Sequence, residues 1–229
     1  MAKKKDIKPI ERTRSIEDFL KVVYQLQRNS ERVRTSAIAE AMNITAPSAH
    51  DFINRCREAG LLDYISHHGV RLTNSGERIA LEVLRHHRLL ELYLVEALGY
   101  SWDEVHEEAD ALEHHISEKL EARIAAYLGN PTIDPHGDPI PDLDGTIPDF
   151  GLCKLADLPL NSSGIISRLL DQNPDNLRYL DSKGLVLGAT VQVVEREPYD
   201  GLTHIEVNGA EQVIGETTAQ FVMVKPQTS

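Results

Sequence analysis

Apolar residues Ile16, Phe19, Leu20, Val23 and Leu26 recur every three to four positions, the period of a helix with one buried face. Ser15 stands where it can cap that helix. A polar break at Asn29-Ser30-Glu31 separates it from a short second helix, capped by Thr35 or Ser36 and carrying Ile38, Ala39 and Met42. Asn43-Ile44-Thr45 makes a turn, and Pro47 takes the first position of a third helix that runs through Phe52, Ile53 and Cys56 to Gly60. Leu61 to Ile65 and Val70 to Leu72, joined by a turn at His68-Gly69, read as a β-hairpin. Helix, short helix, turn, helix and hairpin in that order predict a winged helix-turn-helix.

The helical period resumes after Asn74-Ser75-Gly76-Glu77, a capping arrangement, and Ile79, Val83, Leu84, Leu90 and Leu94 carry a long helix to Gly99. Trp102 and Asp103 lead into a further helix predicted from about Val105 to Leu128. From Gly129 to Gly151 the chain is crowded with Pro, Gly and Asp, the composition of a linker. Beyond it the period changes to that of strands. Short candidates are Gly164 to Ile166, Thr190 to Glu195, Thr203 to Val207, Glu211 to Ile214 and Phe221 to Val224, with hairpin turns at Asp200-Gly201 and Asn208-Gly209. Such a run predicts a small barrel or sandwich.

Composition narrows the function classes. The chain has 229 residues, 41% of them hydrophobic and 26% charged, which is ordinary for a globular protein. No apolar run approaches the roughly 18 residues of a membrane span. The first residues lack an apolar signal core, and two cysteines, Cys56 and Cys153, are too few for a disulfide scaffold, so a reduced cytoplasm is the expected compartment. The net charge of −12 is unevenly spread. Residues 1–88 hold sixteen Lys/Arg and eleven acids, a net +5, which leaves −17 for the remainder. One part can meet phosphates while the other collects cations, although solvated charge without a partner gives the same asymmetry.

The densest cluster of metal-ligating types is His106-Glu107-Glu108-Ala109-Asp110-Ala111-Leu112-Glu113-His114-His115. On one continuous helix His106, Asp110, Glu113 and His114 would share an arc of about 100°, with His115 pointing away. Carboxylates stacked at that spacing repel one another unless a cation holds them. His87 and Glu91 form a second pair at i, i+4, which by itself a polar helix face explains better than a metal does. Asp18, three residues after Ser15, suits a helix N-terminus as well as it suits a metal. His86 reads as a packed histidine, and Cys56 as a small core residue. No zinc-protease motif, serine elbow, phosphate loop or dinucleotide fingerprint is present, which argues against an enzyme.

Several stretches together resemble the DtxR/MntR family of metal-dependent transcriptional repressors. They are Ser15-Ile16-Glu17-Asp18-Phe19-Leu20, Ala46-Pro47-Ser48-Ala49, Leu72-Thr73 to Gly76, His87-Arg88-Leu89-Leu90-Glu91, Val105 to His114, and Pro135-His136-Gly137-Asp138-Pro139-Ile140-Pro141. The resemblance implies a mainly α chain with a β C-terminal domain. Its parts would be a winged-helix DNA-binding domain at 1–76, a helical metal-binding and dimerisation domain with its linker at 77–151, and an SH3-like (FeoA-like) barrel at 152–229.

By position, Asp18, Asp110, Glu113 and His114 match the family's primary metal site, and His87, Glu91 and His106 its ancillary site. Asp171 and Gln172 are the candidates for ligands from the barrel. Iron-responsive members carry Met and Cys where this chain has Asp18 and Asp110. Lys21 replaces a ligand-bearing acid of the barrel-free members. Oxygen in place of soft sulfur favours Mn(II), with Fe(II) the alternative. The implied function is a Mn(II)-dependent repressor of metal-uptake genes that binds a palindromic DNA operator as a homodimer, with one or two dimers per operator. Thr45, Pro47, Ser48, His50 and Asp51 would approach bases, while Arg55 and the basic N-terminal tail would meet phosphates. Alternatives of other classes are a metal-dependent hydrolase carrying a winged helix and a binder of Pro-rich peptides, the latter disfavoured by 5% aromatic content.

Overall fold

The computed structural model describes residues 12–28, 30–199 and 201–227. Asn29, Asp200 and the basic tail residues Lys3, Lys4, Lys5 and Lys8 lie outside the described residues. The chain divides into two compact units. The first holds residues up to His86 together with 113–115 and 143–145; the second holds 87–112, 116–142 and 146–229.

In the first unit, α1 (Arg14–Gln27), α2 (Thr35–Ala41) and α3 (Ala46–Glu58) are followed by the antiparallel hairpin β1 (Leu62–Ile65) and β2 (Gly69–Leu72). Helix α1 starts before the predicted cap: Thr13 is the N-cap residue and Ser15 lies inside the helix. The predicted apolar face is buried, with Ile16, Phe19, Leu20 and Val23 packed in one core with Ile38, Ala49, Ile53, Cys56, Leu62 and Val70. Phe19 stacks on Phe52 with ring centroids 5.4 Å apart. Val33 pairs with Val70 as an isolated bridge, and this fixes Gly69: at φ +95°, an added Cβ would lie 2.3 Å from the Val33 carbonyl oxygen. The order of elements is that of a winged helix-turn-helix.

The chain then enters α4 (Asn74–Leu98), whose start is secured by Thr73, the Oγ1 of which accepts from the Gly76 amide. The predicted single helix over 105–128 is two helices, α5 (Val105–Leu112) and α6 (Glu118–Tyr127), separated by a turn at 113–115. Ser117 caps α6 by accepting from the Leu120 amide. In the second unit Leu89, Leu90, Ala109, Ile124, Ala125 and Ile140 form a small core.

The C-terminal part is a six-stranded, wholly antiparallel sheet of β3 (Cys153–Lys154), β4 (Ser163–Leu169), β5 (Thr190–Arg196), β6 (Leu202–Val207), β7 (Ala210–Gly215) and β8 (Val222–Pro226). Its order is β3-β8-β4-β5-β6-β7. Two helices absent from the sequence reading, α7 (Pro174–Ser182) and α8 (Glu216–Phe221), complete it, and α8 takes Phe221 out of the predicted last strand. Bulges in β4 and β5 interrupt the pairing. The β4 bulge sits at Ser167, so Ile166 and Leu169 both reach the core and Arg168 is free to pair with the buried Asp138.

Candidate metal centres and nucleic-acid interface

In the first unit, α1 presents Glu17, Asp18 and Lys21 to the turn that carries Glu113 and His114. Because α5 ends at Leu112, the helical arc used to group Asp110 with Glu113 and His114 does not continue through them. The turn delivers the last two to α1 instead. Donor atoms of Asp18, Glu113 and His114 lie within 4.8 Å of one another. His114 Nε2 is 2.8 Å from Asp18 Oδ1 and 3.1 Å from Glu113 Oε1, and its Nδ1 is 2.7 Å from Glu17 Oε2. A neutral imidazole donating from Nδ1 to Glu17 leaves its Nε2 lone pair aimed between the two other carboxylates, the orientation a metal ligand needs. Glu113 and His114 are buried while Asp18 remains 35% exposed, so the group has a solvent side. Lys21 Nζ is 2.6 Å from Glu113 Oε1.

Asp110 stands elsewhere, in the second unit. Its Oδ1 is 3.2 Å from His87 Nδ1 and its Oδ2 is 3.7 Å from His106 Nε2. His87 Nε2 is in turn 2.9 Å from Glu91 Oε1, which is also 3.1 Å from His106 Nδ1. The sequence-predicted set His87, Glu91 and His106 is therefore brought together, with Asp110 added. Asp171 and Gln172 are not part of it. Asp171 Oδ1 accepts from the Asn173 amide, and Gln172 donates to Asp138.

Two further ligand types, not singled out by sequence, complete the buried side of Glu91. Donor atoms of Glu91, Asp134 and His136 lie within 4.8 Å of one another, and all three residues are buried. Asp134 Oδ1 accepts from the backbone amides of His136 and Asp138, which closes the turn. Gly137 sits in that turn at φ +83°, where a Cβ would lie 2.0 Å from the Ser167 carbonyl oxygen. His136 Nε2 donates to the Trp102 carbonyl 2.7 Å away, so a neutral ring turns an unprotonated Nδ1 inward. That Nδ1, Glu91 Oε2 and Asp134 Oδ2 are buried without a hydrogen-bond partner. Nδ1 and Oε2 are 3.8 Å apart, whereas two donors each about 2.1 Å from one ion are about 3.4 Å apart at a tetrahedral angle and farther at wider ones.

Charged groups are densely coupled here, and Arg88 Nε also lies 3.7 Å from Asp134 Oδ2. Burial opposes ionisation of Glu91, yet His87, His106 and His136 outweigh it and hold its carboxyl well below the usual range. Burial pushes the Asp134 carboxyl up to about 7, with Asp138 and Glu91 adding to the effect. Burial also works against a charged His136, but Glu91, Asp134 and the Trp102 carbonyl raise its pKa. The loop is anchored to the sheet: Asp138 pairs with Arg88 at 3.1 Å and closely with Arg168, and the Leu169 amide donates to the His136 carbonyl. Neither cysteine belongs to any of these groups; Cys56 is a buried core residue.

On α3, Ala49, Ile53 and Cys56 face the core, while Thr45, Pro47, Ser48, His50, Asp51 and Arg55 are exposed on the opposite side. Thr45 caps the helix by accepting from the Ser48 amide. Arg55 lies 5.7 Å over the Phe52 ring and 4.0 Å from Asp51.

Three family models match in succession. They are the iron dependent repressor N-terminal DNA binding domain over residues 11–70, the iron dependent repressor metal binding and dimerisation domain over 73–142, and the FeoA domain over 153–226. The iron-dependent repressor IdeR of Mycobacterium tuberculosis H37Rv is 34% identical over 209 residues, spanning 86% of this chain and 90% of that protein. The chain belongs to the iron-dependent repressor family. It is a metal-dependent, DNA-binding transcriptional repressor with a dimerisation domain. Among solved structures, a manganese-dependent transcriptional repressor in complex with manganese is 40% identical, with TM-score 0.86 over 93% of this chain and all of that one. ScaR with bound Cd²⁺ is 30% identical, with TM-score 0.80 over 92% and 98%. Asp134 and His136 were missed because only tertiary folding brings their loop to Glu91. The sequence signals available were the family-like stretch from Pro135 to Pro141, which was not read as ligand-bearing, and a histidine flanked by two Asp in a Pro/Gly-rich segment.

Proposed function

We propose that the protein is a Mn(II)-responsive repressor of metal-uptake genes that acts in the cytoplasm and is not an enzyme. The observation that carries this reading is the convergence of Asp18, Glu113 and His114, hard oxygen and imidazole donors with no sulfur among them. Asp18, Glu113 and His114 would hold one cation, with Glu17 fixing the His114 tautomer. Glu91, Asp134 and His136 would hold a second, and His87, His106 and Asp110 the adjoining position on the other oxygen of Glu91. The cation supplies positive charge and a fixed coordination geometry. Asp18 belongs to α1 of the reader, whereas Glu113 and His114 lie in the turn after α5, so joint ligation pins that helix to the turn. Each α3 of a homodimer is then set to meet one half-site of a palindromic operator, occupied by one or two dimers. Thr45, Pro47, Ser48, His50 and Asp51 would read bases and Arg55 a phosphate. We keep 1–76, 77–151 and 152–229 as the working division into reader, dimerisation part and barrel.

Fe(II) is the second reading, because the related IdeR is iron-dependent by name and imidazole and carboxylate also accept that ion. The test is operator binding, by fluorescence anisotropy, on the promoter of a neighbouring metal transporter. Mn(II) should activate binding at lower free concentration than anaerobic Fe(II). The reverse order would make the protein an iron sensor, and metal-independent binding would remove the switch.

A further inference from the structure

Lys21 follows Asp18 by three residues on α1 and so faces the same cluster. Its Nζ is 2.6 Å from Glu113 Oε1, the same oxygen that is 3.1 Å from His114 Nε2. The Glu113 side chain is completely buried and that of Lys21 is 12% exposed. A buried carboxylate is stable only when a cation or hydrogen-bond donors compensate it, and here the ammonium is the compensating charge. Arg14 also approaches the cluster, 3.8 Å from Asp18 Oδ2, but its exposed guanidinium is screened by solvent.

We propose that Lys21 is a built-in competitor of the metal: its ammonium occupies Glu113 Oε1 in the metal-free protein and must yield to a divalent cation, so this residue sets the metal concentration at which the centre fills. The proposal rests on the reading of Asp18, Glu113 and His114 as a metal centre. Glu113 Oε1 cannot be the close partner of a dication and of an ammonium without setting the two positive charges against each other in a poorly solvated site. A Lys21 that merely positioned Glu113, by holding a second lone pair of the same oxygen, would have the opposite effect on affinity when removed.

The experiment is a Mn(II) titration of the full-length protein against a competing chelator. Lys21→Met and Lys21→Gln should each tighten one metal equivalent by about tenfold, and Lys21→Arg should stay within about threefold of wild type. Metal-free Lys21→Met should melt below the wild type, and Mn(II) should raise its melting temperature by more than it raises that of the wild type. Adding His114→Ala to Lys21→Met should abolish the tightened equivalent. Unchanged or weaker binding in both neutral variants overturns the competitor role. If His114→Ala removes no equivalent from the wild type, the assignment of the centre is what fails.

Discussion

The two ligand clusters use the same carboxylate and imidazole chemistry in opposite settings. The cluster of Asp18, Glu113 and His114 has a half-exposed carboxylate, and its buried one, Glu113, carries its own ammonium from Lys21, so the buried charge is compensated before a metal arrives. The cluster of Glu91, Asp134 and His136 is sealed, and three of its donor atoms face one another with no hydrogen-bond partner. A site that can be emptied at little cost is suited to sensing. A site whose emptying leaves unpaired buried lone pairs is suited to holding a structural ion. The surroundings of the ligands, more than their identity, separate the switch from the anchor.

The sharpest way to break this contrast is Glu113→Ala. It should abolish metal-activated operator binding, a loss of about a hundredfold or more, while the dimer stays folded, because a charged ligand of the sensing site is gone. His115, exposed on the same turn, is the matched control, and His115→Ala should bind operator normally. Anisotropy titrations with size-exclusion chromatography separate the two variants. A normal Glu113→Ala with a defective His115→Ala would exchange their roles.

Asp134→Asn should have a smaller effect and a different one. The amide oxygen can keep the bonds from the His136 and Asp138 amides while the NH₂ replaces the inward-facing Oδ2. One metal equivalent should weaken by about tenfold, with the sensing site intact, and the metal-free protein should be no less stable. Calorimetric titration and thermal melting read both. Loss of the sensing equivalent in this variant would mean that the two clusters are not separate sites.

Asp110→Ala should give the smallest change, a severalfold weakening of the equivalent held near His87 and His106. If it instead removes the equivalent that Glu113→Ala removes, Asp110 belongs with Glu113 and His114, as continuous helical spacing predicted.

That last distinction shows where the sequence was legible. The reader is clear from pattern alone, because Ile16, Phe19, Leu20 and Val23 on α1 and Ile53 and Cys56 on α3 each fill one face at helical period. The break between α5 and α6 is not, since residues 113–117 contain neither Pro nor Gly and only Ser117 marks a new start. The helical phase carried from Asp110 to His114 failed for that reason, although Glu113 and His114 did meet Asp18. Helix α7 had an available signal in Asn173-Pro174, a cap followed by Pro at the first position, in the stretch left unassigned between the strand candidates at 164–166 and 190–195. Arg168 and the Asp134 turn depend on a bulge and a tertiary anchor that no local period reports.

Anomalous scattering at the manganese edge from crystals grown with Mn(II) tests the central claim most directly. One peak should be bonded to Asp18, Glu113 and His114, through oxygen and nitrogen only, a second should lie among Glu91, Asp134 and His136, and a third, weaker one beside His87, His106 and Asp110. A manganese-loaded crystal with no density between Asp18 and His114 would contradict it.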